Sequence, residues 1–140
     1  YKMENKEEII KLIKLAKDNM AYSYIPYSHF SVSALYVTND NQYIYGNNIE
    51  NASYGLSMCA ERTGLYNLLN KHIDPKEVKY IVVIGNTKEP ISPCGACRQV
   101  LAEFISPKTT IILANTNLDY KITSIDKLLP FNFDLNKDRI

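Results

Sequence analysis

Apolar residues follow two rhythms along this chain, and the two alternate. Over residues 5–21 the rhythm is helical. Ile9, Ile13, Ala16 and Met20 fall on one stripe, while Lys11, Lys14 and Lys17 turn elsewhere. A basic amphipathic helix can lie on a membrane surface; here it reads as a packed helix with a solvated face. Residues 30–38 have strand composition, "NDNQ" signals a turn, and 43–50 would pair back as a hairpin. Residues 59–72 read as a helix with Leu65, Leu68 and Leu69 apolar and Gly64 a local weakness. Residues 79–87 and 109–117 are short continuous apolar runs, as expected of strands covered on both faces. Between them, 94–105 reads as a helix with Val100, Leu101 and Phe104 apolar. A short strand and a short helix ended by Pro130 complete the order α-β-β-α-β-α-β-β-α. Such alternation predicts an α/β layered domain with helices on both faces of one sheet. One domain is expected over residues 1–140, with 1–4 outside its packed part. Because the chain opens on Tyr1 rather than Met, an upstream segment is also expected.

Composition adds mainly exclusions. Hydrophobic residues make up 46% and charged residues 22%, and the formal net charge is +1. No field draws such a chain to nucleic acid or an anionic membrane. The apolar runs are too short to span a bilayer, and the first one is not a continuous signal-peptide core. A cytoplasmic protein is expected. Three cysteines, an odd count without a secretion signal, argue against a disulfide framework and for metal or catalytic use.

Cys94 and Cys97 form a C-x-x-C pair at a helix start. The pair alone fits a redox dithiol, half a metal site, or two small core residues. Cys59 opens another helix, and two converging helix N-termini would favour three thiolates together. Three cysteines are one short of a closed tetrahedral zinc site. His72 would lie about 20 Å along the helix from Cys59. His29 sits in a turn and is the one alternative fourth ligand. The expected arrangement leaves the fourth position to water, as catalytic zinc sites do. Glu61, in the first turn after Cys59, is then placed to accept and pass on a proton.

"CAE" at 59–61 and "PCGAC" at 93–97 resemble the signature of zinc deaminases. The chain is most similar to the small cytidine deaminases, from "PYSHFSVSA" (26–34) through "GNNIENASYG" (46–55) and "CAERT" to "SPCGACRQVL" and "LLPFNF". The resemblance implies a three-layer α/β/α sandwich around a mixed five-stranded sheet. It implies zinc on Cys59, Cys94 and Cys97, with Glu61 as the proton shuttle for hydrolysis of cytidine or deoxycytidine to uridine or deoxyuridine and ammonia. Arg62 would offset the thiolate charge. Asn48 and Glu50 would hold the ribose, and Phe30 would lie against the pyrimidine. The Ala60 N–H would meet the 2-oxo group and the Ser92 carbonyl the 4-amino group. A homotetramer is implied, with Ala52, Tyr54 and Phe133 reaching a neighbour's ligand. Ser33 stands where glycine is common in the family, and Gly64 where alanine is common.

Three rivals remain at this level: a deaminase of another aminopyrimidine, such as a nucleoside antibiotic or an RNA base; a structural zinc module using His29; and a thiol redox protein. The charge balance disfavours long nucleic-acid tracks, and Asn48 with Glu50 favours a ribose.

Overall fold

The computed structural model describes residues 5–139; the expectation about residues 1–4 lies outside the described residues. Asn5 caps the first helix, α1 (Lys6–Asn19), by accepting from the Glu8 amide at 3.0 Å. The buried stripe of α1 is Ile9, Leu12, Ile13 and Ala16. Met20 is only half-buried, because the helix has by then tightened into a 3₁₀ turn, Met20–Tyr22. The three lysines of the other face are exposed, as expected.

The hairpin forms from β1 (Val32–Thr38) and β2 (Tyr43–Asn47). Then come α2 (Ala60–Asn70), β3 (Val78–Gly85), α3 (Gly95–Phe104), β4 (Thr110–Asn115) and β5 (Tyr120–Thr123). Two short helices close the chain: α4 (Ile125–Leu128) and α5 (Leu135–Asp138). The sequence pattern held no counterpart for α5 or for the 3₁₀ turns Tyr54–Leu56 and Pro75–Glu77. The strands form one sheet in the order β2-β1-β3-β4-β5. The β3–β4 pair is parallel and the other pairs are antiparallel, so the sheet is mixed.

Strand alternation sends side chains to both faces. Leu35, Val37, Val82, Ile84 and Ile112 pack with the α1 stripe. Ala34, Tyr36, Ile81, Val83 and Ile111 pack with Leu65 and Leu68 of α2 and Leu101 of α3. This is the expected three-layer α/β/α arrangement, and it explains why every residue of β1 is buried.

Both strands of the hairpin stop short, at its open end, of what their composition suggests. Phe30 and Ser31 precede β1. The Asn48 side chain accepts from the Val32 N–H at 2.9 Å and donates to the Phe30 carbonyl at 2.8 Å, so a side-chain amide does the ladder's work there. Residues 48–50 leave the sheet, and Ile49 bridges to Tyr24 and Met58 instead. These departures fold the 24–30 and 48–58 segments onto each other at one end of β1.

Candidate active site

Cys59 and Cys94 occupy the cap positions of α2 and α3, both in extended backbone. Neither side chain caps its own helix, so both sulfurs are free to face each other. Their Sγ atoms stand 3.8 Å apart. Cys97 lies one turn into α3, fully buried, and all three sulfurs lie within 4.8 Å of one another. No disulfide joins them. The unpaired N–H groups of two helix starts make this corner favourable to negative charge.

Arg62 adds a full positive charge, with Nη2 3.5 Å from Cys59 Sγ. The Cys59 thiol is pushed down to about 5, first by the Cys97 S–H donating to it and then by Arg62 and Cys94. Cys97 moves the opposite way, because it is the donor in that pair and is buried. Hydrogen bonding to Cys59 holds Arg62 still more firmly protonated. Hydrogen bonds from Cys97 and Arg62 thus favour the thiolate form of Cys59. Three soft thiol donors converging beside a guanidinium fit a zinc ion. Among the described residues neither histidine joins this group. His72 lies beyond the end of α2 with φ 61°, and His29 sits in the turn near Glu50.

Glu61 occupies the first turn of α2, beside Cys59 in sequence and 5% exposed. Burial pushes its carboxyl up to about 7. A carboxyl that can both hold and release a proton near neutrality is what general acid–base work requires.

The model of the cytidine and deoxycytidylate deaminase zinc-binding region matches residues 6–114, which contain all three cysteines and Glu61. The chain belongs to this deaminase family. A cytidine deaminase of Halalkalibacterium halodurans is 43% identical over 122 residues, 87% of this chain and 91% of that protein. One from Sporosarcina psychrophila is 38% identical over 126 residues, 90% and 91% of the two chains. The crystal structure of cytidine deaminase from Burkholderia pseudomallei superposes with a TM-score of 0.85 at 47% identity, covering 88% of this chain and 97% of that one.

The Phe30 ring lies over Gly85, where a Cβ would come within 3.4 Å of Phe30 Cζ. Glu50 accepts from the Tyr27 and Ser28 N–H groups at 3.1 Å and from the Ser28 hydroxyl, which holds its carboxyl below the usual range. It lines a cleft of about 350 Å³ with Tyr27, Ser28, Tyr54 and Ser57. Asn48 is bonded to the Phe30–Val32 backbone, so it and Glu50 together shape the loop that carries Phe30. Ala60 is buried at the first position of α2. Ser92 is exposed just ahead of Cys94. Ala52 and Tyr54 are exposed, the latter edge-on to Tyr27 with ring centroids 5.8 Å apart. Phe133 is exposed, and its carbonyl accepts from Gln99 of α3.

Both family departures have local causes. The buried Ser33 hydroxyl accepts from the Asn19 side chain at 3.0 Å. A Cβ on Gly64 would meet Tyr36 Cε1 at 2.6 Å. Two residues near the site had no sequence signal. Arg98 donates to the Pro93 carbonyl, the Leu128 carbonyl and the Ser92 hydroxyl at 2.7–2.8 Å, pinning the strap that leads into Cys94. Tyr36 donates its hydroxyl to the Glu61 carbonyl.

Proposed function

We propose that this protein is a zinc-dependent cytidine deaminase, converting cytidine and deoxycytidine to uridine and deoxyuridine with release of ammonia. The observation that carries the reading is the convergence of three thiols at two helix starts with one buried carboxyl beside them. Cys59, Cys94 and Cys97 would hold the zinc. Zinc bound there supplies a Lewis acid that makes a water nucleophilic near neutral pH.

The remaining work falls to the chain's own groups. Glu61 takes a proton from the attacking water and delivers it to N3 as the water oxygen adds to C4. It then carries the second proton to the 4-amino nitrogen, the C4–N bond breaks, and ammonia leaves. A carboxyl raised to about 7 suits both directions of transfer. Arg62 offsets thiolate charge through its contact with Cys59. The Phe30 ring offers a flat apolar face for the pyrimidine. Asn48 and Glu50 supply an amide and a carboxylate for the ribose hydroxyls. The Ala60 N–H faces the 2-oxo group, and the Ser92 carbonyl accepts from the 4-amino group.

The exposed Ala52, Tyr54 and Phe133 are assigned to a neighbour's substrate in a homotetramer. A site built on three thiols suits the cytoplasm, where thiols are kept reduced. Removing the metal with a chelator should abolish ammonia release from cytidine, and readdition should restore it, saturating at about one zinc per chain. Full activity in the metal-free protein would contradict the proposal.

A further inference from the structure

Among the described residues Tyr36 is the largest fully buried side chain, at the centre of β1. Ile44 pairs with it on one side and Ile81 on the other, so its backbone has little freedom. Its phenol crosses the interface between sheet and helix and ends 2.5 Å from the Glu61 carbonyl oxygen. That carbonyl belongs to the first turn of α2, which also follows directly from Cys59.

The surroundings make room for this one contact. A Cβ on Gly64 would stand 2.6 Å from Tyr36 Cε1 and 3.1 Å from Cδ1. A Cβ on Gly46 of β2 would stand 2.3 Å from the Gly64 nitrogen and 2.4 Å from the Ala60 carbonyl. Two glycines therefore let the α2 turn settle backbone-to-backbone on the sheet, with the Tyr36 ring wedged beneath it. Thr63 closes the same turn from the other side, donating to the Asn47 carbonyl at 2.7 Å. Burial, and then the nearby Glu61 carboxylate, keep the phenol protonated and able to donate.

We infer that Tyr36 is a positioning residue for Glu61: its hydroxyl fixes the first turn of α2 against β1 and so sets where the Glu61 carboxyl meets its proton donor and acceptors. A carbonyl held from a rigid strand fixes the Cα–Cβ direction of the same residue. Displacements of under an ångström at a reacting group are costly in rate.

Tyr36→Phe removes one oxygen and leaves the ring packing intact. The inference rests on the deaminase reading above, and the test separates the two. With zinc loaded, kcat for cytidine should fall about tenfold, while KM stays within about twofold and zinc content is unchanged. A kcat equal to wild type would overturn the inference, as would a rise in KM alone or a loss of zinc. In the metal-free protein, exchange of the amides that close the first turn of α2, from Thr63 onward, should quicken and that of β1 and β3 stay unchanged. Unchanged protection of that turn would also overturn it. A wild type that releases no ammonia sinks the deaminase reading and leaves the exchange result to decide the role of Tyr36.

Discussion

Glu61 and Cys59 are near neighbours in the chain, and their surroundings drive them in opposite directions. Burial raises the Glu61 carboxyl from 4.5 to about 7, while donation from Cys97 and Arg62 lowers the Cys59 thiol from 9.0 to about 5. With no metal ion at the thiols, each shift is also a statement about stability. A carboxyl whose folded pKa is raised stabilises the fold fully below its unfolded value, and that contribution is lost as pH rises through the folded one. Cys59 works in the opposite sense between about 5 and 9. The Glu61 effect is therefore read as a difference between metal-free wild type and Glu61→Gln. From pH 4.5 to about 7, the wild type should lose up to about 3 kcal/mol relative to the variant in denaturant melts. A difference independent of pH would contradict the buried placement of this carboxyl. The three cysteines and Glu61 were legible in the sequence because each sits at a helix start whose pattern is local. Tyr36 and Arg98 were not. Glu61, the partner of Tyr36, lies 25 residues away, and Leu128, one of the partners of Arg98, lies 30 residues away, so only the fold brings them together.

At the scale of elements, α2 shows packing overriding local propensity. Taken alone, Gly64→Ala in a helix interior should stabilise by about 1 kcal/mol. In the structure the added methyl would run into the Tyr36 ring, and overpacking of this kind costs about 1–3 kcal/mol. We expect a net loss of stability, seen as a lower denaturation midpoint with an unchanged slope. A stabilised variant would show that the helix and sheet do not meet as closely as described. The same logic marks what could be read from the pattern. Strands covered on both faces announce themselves as unbroken apolar runs, and β3 and β4 lie where such runs predicted them. The ends of β1 and β2 do not, because Asn48 substitutes a side-chain amide for the ladder and draws Phe30 out of the strand. The glycine read as a weakness is instead a point of close approach between two layers.

Across the whole molecule, large apolar side chains remain at the surface in the segments that flank the site. Tyr22, Tyr54, Leu56, Phe131 and Phe133 are all exposed, Phe131 completely. The proposed tetramer would draw on such exposed apolar surface, since contiguous patches of it mark surfaces that associate. Sedimentation should give the mass of four copies of the 16.0 kDa chain, and a monomer at working concentration would contradict the proposed shared sites. Element order and the three layers were open to sequence reasoning. The strand order was not, since β1 pairs with β3 although β2 and α2 lie between them in the chain, and nothing in a hydrophobic pattern encodes that neighbour. The account depends most on the division of labour between the thiols and the carboxyl. Its most direct test is zinc content and ammonia release from cytidine in Glu61→Gln beside wild type. The account predicts about one zinc per chain in both and ammonia from wild type alone. A Glu61→Gln protein that holds zinc and still turns over at the wild-type rate would contradict it.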